Sequence, residues 1–174
     1  MITVLGAWGL IQDVEVFVQQ IGAFSAQEHL VIQAFDARVI YSKEHVISAV
    51  NHAKRAFAQK TNATNTLALE ILLYAAGERQ IQKAIKKTGV KKGKQRIVFV
   101  LTNKSYTSTK KKIDPAVIHR FSDLFQLSLD ESVIKGNSAT LKRFGITQKE
   151  LSTLPEEKCG DLILEKVALV DIIK

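Results

Sequence analysis

Four basic side chains with helical spacing give the strongest chemical signal in this sequence. Arg79, Lys83, Lys86 and Lys87 fall at positions i, i+4, i+7 and i+8, so on a helix they share one side. Guanidinium and ammonium groups bind phosphate oxygens. A helix that begins at Glu78 would add the unpaired N–H groups of its first turn. We therefore expect a phosphate-binding surface on this helix.

The charge around these residues is one-sided. The segment 79–113 holds twelve of the 25 Lys and Arg residues and no Asp or Glu, while the segments before and after it are each close to neutral. A helix that only has to be soluble normally interleaves Glu with Lys, because opposite charges at i,i+4 spacing stabilise it. A simple solvated charge run is the alternative explanation. The missing acids favour an anionic partner.

Motifs for catalysis fail on spacing or context. The segment 89–94, GVKKGK, resembles a phosphate loop but is one residue short, and it follows a helix instead of a strand. We interpret Gly6–Gly9 as a tight turn, and His45 and His52 as surface histidines that lie too far apart to chelate a metal together. The sequence thus predicts no catalytic residue, no metal site, no cofactor and no enzymatic activity.

Length and composition place the chain in a broad class. A chain of 174 residues with 46% apolar side chains fits one domain over residues 1–174. Its single Cys159 favours a reducing compartment, and we expect a cytoplasmic protein. No apolar run reaches membrane-spanning length, so a membrane is not an expected partner.

The apolar pattern predicts an α+β fold with a small, mostly antiparallel or mixed sheet of about 3–4 strands and about 6–8 helices. Helix caps are expected at Asp13, Ser42 and Asp114, and a capping box at Thr147 and Glu150. The predicted strands are 2–5, 29–35 and 96–101. The helix after Asp13 is expected to bury Val14, Phe17, Val18 and Ile21, and the helix after Asp114 to bury Val117, Phe121, Leu124 and Phe125.

The cationic helix is expected to follow a buried one. The segment 67–76, LALEILLYAA, is apolar nearly all round and predicts a central helix. Gly77 breaks it, and a second helix is expected from Glu78 to Thr88, ended by Gly89. The segment 102–112 is interpreted as a Ser, Thr and Lys loop. The apolar segment 162–173 is interpreted as a final helix, although its β-branched residues would also suit a strand.

The motifs EHVISAVNHAKRAF and TLALEILLYAAGERQIQKAIKKTGV resemble the small regulatory subunit of the KEOPS complex, the TPRKB family. The resemblance spans about residues 30–101 and extends more weakly to the carboxyl-terminal GDLILEKVALVDI. It implies a non-catalytic subunit of the machinery that makes threonylcarbamoyladenosine on tRNA. Expected partners are the kinase-like ATPase subunit, tRNA through its single-stranded 3′ CCA end, and, indirectly, the other KEOPS subunits.

The resemblance and the charge pattern together suggest two sets of site residues. Gly77, Arg79, Gln80 and Ile81 keep the element that RNA-binding members of the family carry. The residues expected to contact RNA are Lys54, Arg55, Asn65, Glu70, Tyr74, Gly77, Arg79, Gln80, Lys83, Lys86 and Lys87. Among them, Asn65, Glu70, Tyr74 and Gln80 are the candidates that would read bases, with core packing as the alternative for Tyr74. By analogy, the expected kinase contact is Leu164, Val167, Ala168 and Val170, with ordinary core packing as the alternative. A protein-binding regulator without RNA contact is the rival hypothesis.

Overall fold

A computed structural model describes residues 1–105 and 112–173. The strands are β1 (Ile2–Ile11), β2 (Leu30–Asp36), β3 (Gly93–Asn103) and β4 (Ser128–Leu129). The helices are α1 (Val14–Gln27), α2 (Lys43–Gln59), α3 (Leu67–Ala76), α4 (Ile81–Thr88), α5 (Pro115–Leu124), α6 (Ser138–Phe144), α7 (Gln148–Leu151) and α8 (Cys159–Ile173). Short 3₁₀ turns span Ala37–Val39, Glu131–Ile134 and Glu156–Lys158. The predicted α+β class is confirmed.

The four strands form one antiparallel sheet in the order β2-β3-β1-β4. Successive residues of β3 point to opposite faces. Phe99 packs with the aromatic side chains of α1 and α5 on one face, whereas Val98 and Val100 pack with α2, α3 and α8 on the other. Helices therefore cover both faces of the sheet except at the far end of β1, where Trp8 and Leu10 are exposed. The helix α3 lies in the more heavily packed layer.

The first strand has ten residues instead of the four predicted. β1 continues through Gly6 and Gly9, so the tight turn expected there is wrong. Close packing explains both glycines: a Cβ on Gly6 would lie 2.5 Å from the carbonyl oxygen of Asp130, and one on Gly9 would lie 2.9 Å from Leu127. These residues make room for a crossing chain.

The predicted helix starts are confirmed at four positions. The side chains of Asp13, Ser42, Asp114 and Thr147 each accept a hydrogen bond from a backbone N–H in the first turn of α1, α2, α5 and α7. Thr147 and Glu150 form the complete capping box. The last helix, α8, is also confirmed.

Some details of the packing differ from the prediction. Val18 is 54% exposed and Leu124 58% exposed, because each lies at the edge of its helix's buried stripe. The loop expected over 102–112 falls partly outside the described residues, and its first two residues complete β3. Within residues 1–105 and 112–173, no helix combines the length and the apolar character that spanning a bilayer requires.

The break between α3 and α4 is the feature that positions the cationic helix. Gly77 adopts a left-handed conformation with φ of +63°, which a residue with a side chain rarely tolerates. The N–H of Gly77 donates to Tyr74 O at 2.9 Å and that of Glu78 to Leu73 O at 3.2 Å. Since Glu78 still closes α3, α4 begins at Ile81, and the predicted helix start at Glu78 is wrong.

Candidate nucleic-acid interface

A groove of about 980 Å³ opens beside the break between α3 and α4. One wall is the end of α2 and the loop after it, and the other is the turn into α4. Part of the rim comes from α8. The residues that line it are Gln59, Thr61, Ala63, Glu78, Arg79, Gln80, Lys83 and Asp171.

Two cations of the predicted surface meet in this groove. Arg79 and Lys83 are exposed, and Lys86 is exposed one turn further along α4. Across the part of the chain that the structure describes, these three side chains form no ion pair with a carboxylate. Their charge is therefore available to a ligand.

The start of α4 adds backbone donors to the groove. Gln80 is the residue before the helix, and its side chain forms no cap hydrogen bond to the first turn. The first N–H groups of α4 therefore lack the side-chain acceptor that Asp or Ser supplies elsewhere in this chain. A phosphate can take that acceptor's place, since the positive end of the helix dipole also favours an anion. The donors belong to 81–83, three residues later than predicted.

A buried carboxylate shapes the opposite wall. The Glu70 side chain is fully buried, and it accepts hydrogen bonds from the N–H of Ala63 and from the N–H and hydroxyl of Thr64, the last two at 2.9 and 2.8 Å. Glu70 was predicted to read bases. Its oxygens instead hold the loop that carries Ala63 into the groove wall, so its contribution to a site is indirect.

Asp171 connects two of the expected site residues, Arg55 and Tyr74, to the last helix. Its carboxylate accepts a hydrogen bond from the Tyr74 hydroxyl and one at 2.9 Å from Arg55, and it lies 2.7 Å from Nδ1 of His52. Burial tends to raise the pKa of Asp171, but the hydrogen bonds from Tyr74, His52 and Arg55 outweigh it and lower the pKa. The carboxylate is therefore charged and neutralises Arg55 at the rim.

Tyr74 and Lys54 are too deeply buried to contact RNA directly. Tyr74 is completely buried, and burial together with the Asp171 hydrogen bond raises the pKa of its hydroxyl. Lys54 is 9% exposed and donates to the Asn103 side chain at 2.9 Å, while burial lowers its pKa. Both side chains were expected at the surface, but the packing of α2 against α3 encloses them.

Lys87 also differs from its predicted role. Its ammonium donates to Ala76 O at 2.7 Å and to Glu78 at 3.3 Å, and it lies 4.1 Å from the centre of the Phe144 ring. Burial lowers its pKa, although the charge of Glu78 opposes that shift. Lys87 therefore supplies a hydrogen-bond donor to a carbonyl in the last turn of α3, and it connects α4 to α6 through Phe144. Its charge is not available to a ligand in the way that those of Arg79 and Lys83 are.

Two further expected residues, Gly77 and Asn65, do not line the groove. Gly77 supplies the turn that aims α4, as described above. Asn65 is exposed, but it lines a different, mostly apolar cavity of about 710 Å³ between α1, β2 and α3. The structure thus brings together Arg79, Gln80 and Lys83, with Arg55 held at the rim.

The predicted kinase-binding face does not exist as one surface. Val167 and Val170 are completely buried and pack in the core with α2 and α3, so the alternative explanation holds for them. Leu164 is half-buried and Ala168 is exposed on the other side of α8. Among residues 159–172 of α8, the exposed apolar side chains are instead Ala168, Leu169 at 36% and Ile172 at 77%.

Comparison with known proteins defines the class. A sequence profile described as "Kinase binding protein CGI-121" matches residues 11–171. The chain belongs to this family, the family of the small KEOPS subunit, and the resemblance of the central motif is confirmed. A curated relative is the "Regulatory protein Cgi121" of Methanocaldococcus jannaschii. It is 28% identical over 148 residues, which cover 83% of this chain and 86% of the relative.

Proposed function

We propose that this protein is a non-catalytic adaptor that holds the single-stranded 3′ CCA end of tRNA and binds the kinase-like ATPase subunit of KEOPS. The adaptor serves threonylcarbamoyladenosine modification, and other subunits perform the chemistry. The observation that carries the RNA part is the groove in which Arg79 and Lys83, both without a carboxylate partner among the described residues, flank Gln80 at the uncapped start of α4.

The chemistry of the groove fits a single-stranded end. Phosphates bind Arg79, Lys83 and the first N–H groups of α4, and Lys86 extends the track. Unpaired bases expose edges that an amide can read, and the Gln80 side chain offers both a donor and an acceptor there. Duplex RNA would leave these edges paired. The groove therefore favours an unpaired end over a helix.

The kinase part of the proposal rests on the family description, kinase binding, and on the apolar side chains of α8 that face solvent. Leu169 and Ile172 flank Asp171, which lines the groove. A kinase subunit seated on Leu169 and Ile172 would sit beside the RNA end. One turn of α8 thus connects the two proposed sites.

The RNA proposal is tested with charge reversal in the groove. The double variant Arg79→Glu/Lys83→Glu is compared with the matched variant Lys142→Glu/Arg143→Glu, which makes the same charge change on α6. We expect the groove variant to lose tRNA affinity by about a hundredfold at low salt, since two favourable phosphate contacts become repulsive, and the control to lose much less. Equal losses of tRNA affinity in the two double variants would show that net charge alone, and not the groove, explains the effect.

The kinase proposal has its own variants. Leu169→Asp/Ile172→Asp is expected to weaken capture of the kinase subunit by about tenfold or more, because it charges the centre of an apolar contact. Val16→Asp/Val18→Asp, at two valines of α1 that are 50% and 54% exposed, is the control. If the charge reversal at Arg79 and Lys83 weakens kinase capture and the wild type has no measurable tRNA affinity, the rival hypothesis of a purely protein-binding regulator is correct.

A further inference from the structure

The single tryptophan of the chain lies on the surface of the sheet. Trp8 is 41% exposed and Leu10, two residues later on the same strand, is 60% exposed. Ile2 and Val4 occupy the same face of β1 and pack beneath the helices of the α2–α3 layer. That layer ends before Trp8, so the far end of β1 leaves one face of the sheet uncovered.

The pairing of β1 with β3 places cations beside the exposed ring. Trp8 lies opposite Arg96 and Leu10 opposite Lys94. Directly opposite residues of an antiparallel pair point to the same face, with neighbouring side chains. Arg96 and Lys94 are exposed, and neither forms an ion pair within the described part of the chain. A shallow cavity of about 490 Å³ lies there, lined by Trp8, Gly9, Leu10, Lys94, Gln126 and Ser128.

A hydrogen bond to Asp130 fixes the orientation of the Trp8 indole ring. Its Nε1–H donates to the Asp130 carboxylate at 3.3 Å. Asp130 is held there because its own N–H donates to Gly6 O at 2.8 Å, a crossing that the missing Cβ of Gly6 permits. The N–H of Ser132 donates to the same carboxylate at 2.9 Å, which holds the carboxylate in place. The ring is thus preorganised with part of its surface open to solvent.

We infer that Trp8, Arg96 and Lys94 form a second nucleic-acid contact, which binds one or two unpaired nucleotides of RNA. A base stacks on the indole, and the flanking phosphates bind the guanidinium and ammonium groups. An exposed Trp and Leu would also suit a protein partner. The cations directly opposite both side chains, within a stretch of 35 residues without an acid, favour a polyanion. This inference deepens the proposed function, because it adds an RNA contact outside the α4 groove.

Binding at this site can be measured by the intrinsic fluorescence of the protein, without an added label. Since Trp8 is the single tryptophan, its fluorescence measures events at this surface alone. We titrate the full chain with a single-stranded oligouridylate of about eight nucleotides, a length within the usual range for such sites, and expect saturable quenching. Arg96→Gln should weaken the quenching affinity by about tenfold, while Lys142→Gln on α6 should leave it unchanged. Far-UV circular dichroism checks that both variants are folded.

Two probes separate stacking from charge attraction. An abasic oligonucleotide of the same length carries the same phosphates without bases, so it should quench much less. Absence of quenching by the oligouridylate, or equal quenching by both probes, would overturn the inference. Loss of kinase capture in Trp8→Ala, with oligouridylate affinity retained by anisotropy of a labelled oligonucleotide, would reassign the surface to a protein partner.

Failure of the groove and failure of this site give different results. In Arg79→Glu/Lys83→Glu the groove is disabled, but Trp8 quenching by oligouridylate should persist. If that variant loses tRNA affinity and the wild type shows no quenching, only the second contact is wrong. If quenching is seen and the groove variant binds tRNA normally, the proposed groove is wrong and the contact at Trp8 stands.

Discussion

The phenolic hydroxyl of Tyr74, in the last turn of α3, donates to the carboxylate of Asp171, near the end of α8. Tyr74 is completely buried, whereas the Asp171 side chain is 34% exposed and reaches the groove. The last helix is therefore fastened to the core at the point where it borders the proposed RNA site. The same carboxylate also holds Arg55, so the attachment of α8 and the charge of the groove depend on one residue.

Asp171→Asn should separate these two effects. The amide removes a negative charge from the groove and releases the Arg55 guanidinium, so we expect tRNA affinity to rise about threefold to tenfold at low salt. Stability should fall by about 1 kcal/mol, because the hydrogen bonds from Tyr74 and Arg55 lose their charged acceptor. Anisotropy titration and urea unfolding measure the two quantities. Asp161→Asn, at an exposed position of the same helix, is the control. Weaker tRNA binding would contradict the proposed site.

Glu70→Gln should loosen the groove wall. The carboxylate serves two N–H donors and one hydroxyl, and an amide can accept with only one of its two heavy atoms. We expect a loss of about 2 kcal/mol in stability, the cost of leaving a buried donor without a partner. Amide hydrogen exchange should accelerate at Ala63 and Thr64 while α3 stays protected. Unchanged exchange at these two residues would show that Glu70 does not hold the loop.

Lys83→Met and Lys87→Met should behave differently although the two residues are one turn apart. Lys83 faces the groove, so its loss should reduce the salt dependence of tRNA binding by about 0.7 in the log–log slope. Lys87 caps α3 and contacts Phe144, so its loss should leave the slope unchanged and lower stability by about 1–2 kcal/mol. With three exposed cations on the track, the wild-type slope should be near −2. Equal slope changes in both variants would contradict this division.

His45 should make the stability of the protein depend on pH. Its Nε2–H donates to Ala75 O at 2.8 Å and its Nδ1 accepts from the Tyr41 N–H at 3.3 Å, so the buried ring is neutral. Burial lowers its pKa to about 4, although the hydrogen bond to Ala75 opposes that shift, and nearby Lys87 adds to it. The unfolded chain, with an ordinary pKa of 6.5, takes up the proton first as the pH falls.

The stability contributed by His45 is therefore complete above its unfolded pKa and is lost as the pH falls from 6.5 toward 4. The loss should reach roughly 2 kcal/mol by about pH 5. Urea unfolding at about pH 7.5 and pH 5 checks it. His45→Gln should show a much smaller difference between the two pH values, whereas His119→Gln, at an exposed position, should behave like the wild type. Equal stability of the wild-type protein at the two pH values would contradict this role of His45.

Local signals in the sequence were sufficient for the starts of α1, α2, α5 and α7 and for the break at Gly77, but not for the start of α4. Caps and left-handed glycines act through neighbouring backbone groups, so adjacent residues define them. The groove could not be predicted in the same way, because it joins the loop after α2 to Asp171 on the last helix, more than a hundred residues later. The position of Asp171 within α8 does not indicate that its carboxylate contacts Tyr74.

Burial of polar residues was the main source of error at the site. Glu70 within an otherwise apolar helix was a usable signal, since an acid on a buried helix needs nearby donors, and the polar loop 62–66 supplies them. The sequence predicts His45 at the surface, but Ala75 and Phe144 enclose it. Trp8 has no basic residue close to it in the sequence, since Arg96 is remote along the chain, and only the strand register brings the two side chains together.

The most direct test of the adaptor hypothesis is the affinity of the purified protein for intact tRNA and for the same tRNA without its CCA end, each measured at two salt concentrations. We predict that removal of the end weakens binding by at least about tenfold at both salt concentrations, and that this difference disappears in Arg79→Glu/Lys83→Glu. Equal affinity of the wild type for the two tRNAs would contradict recognition of the end.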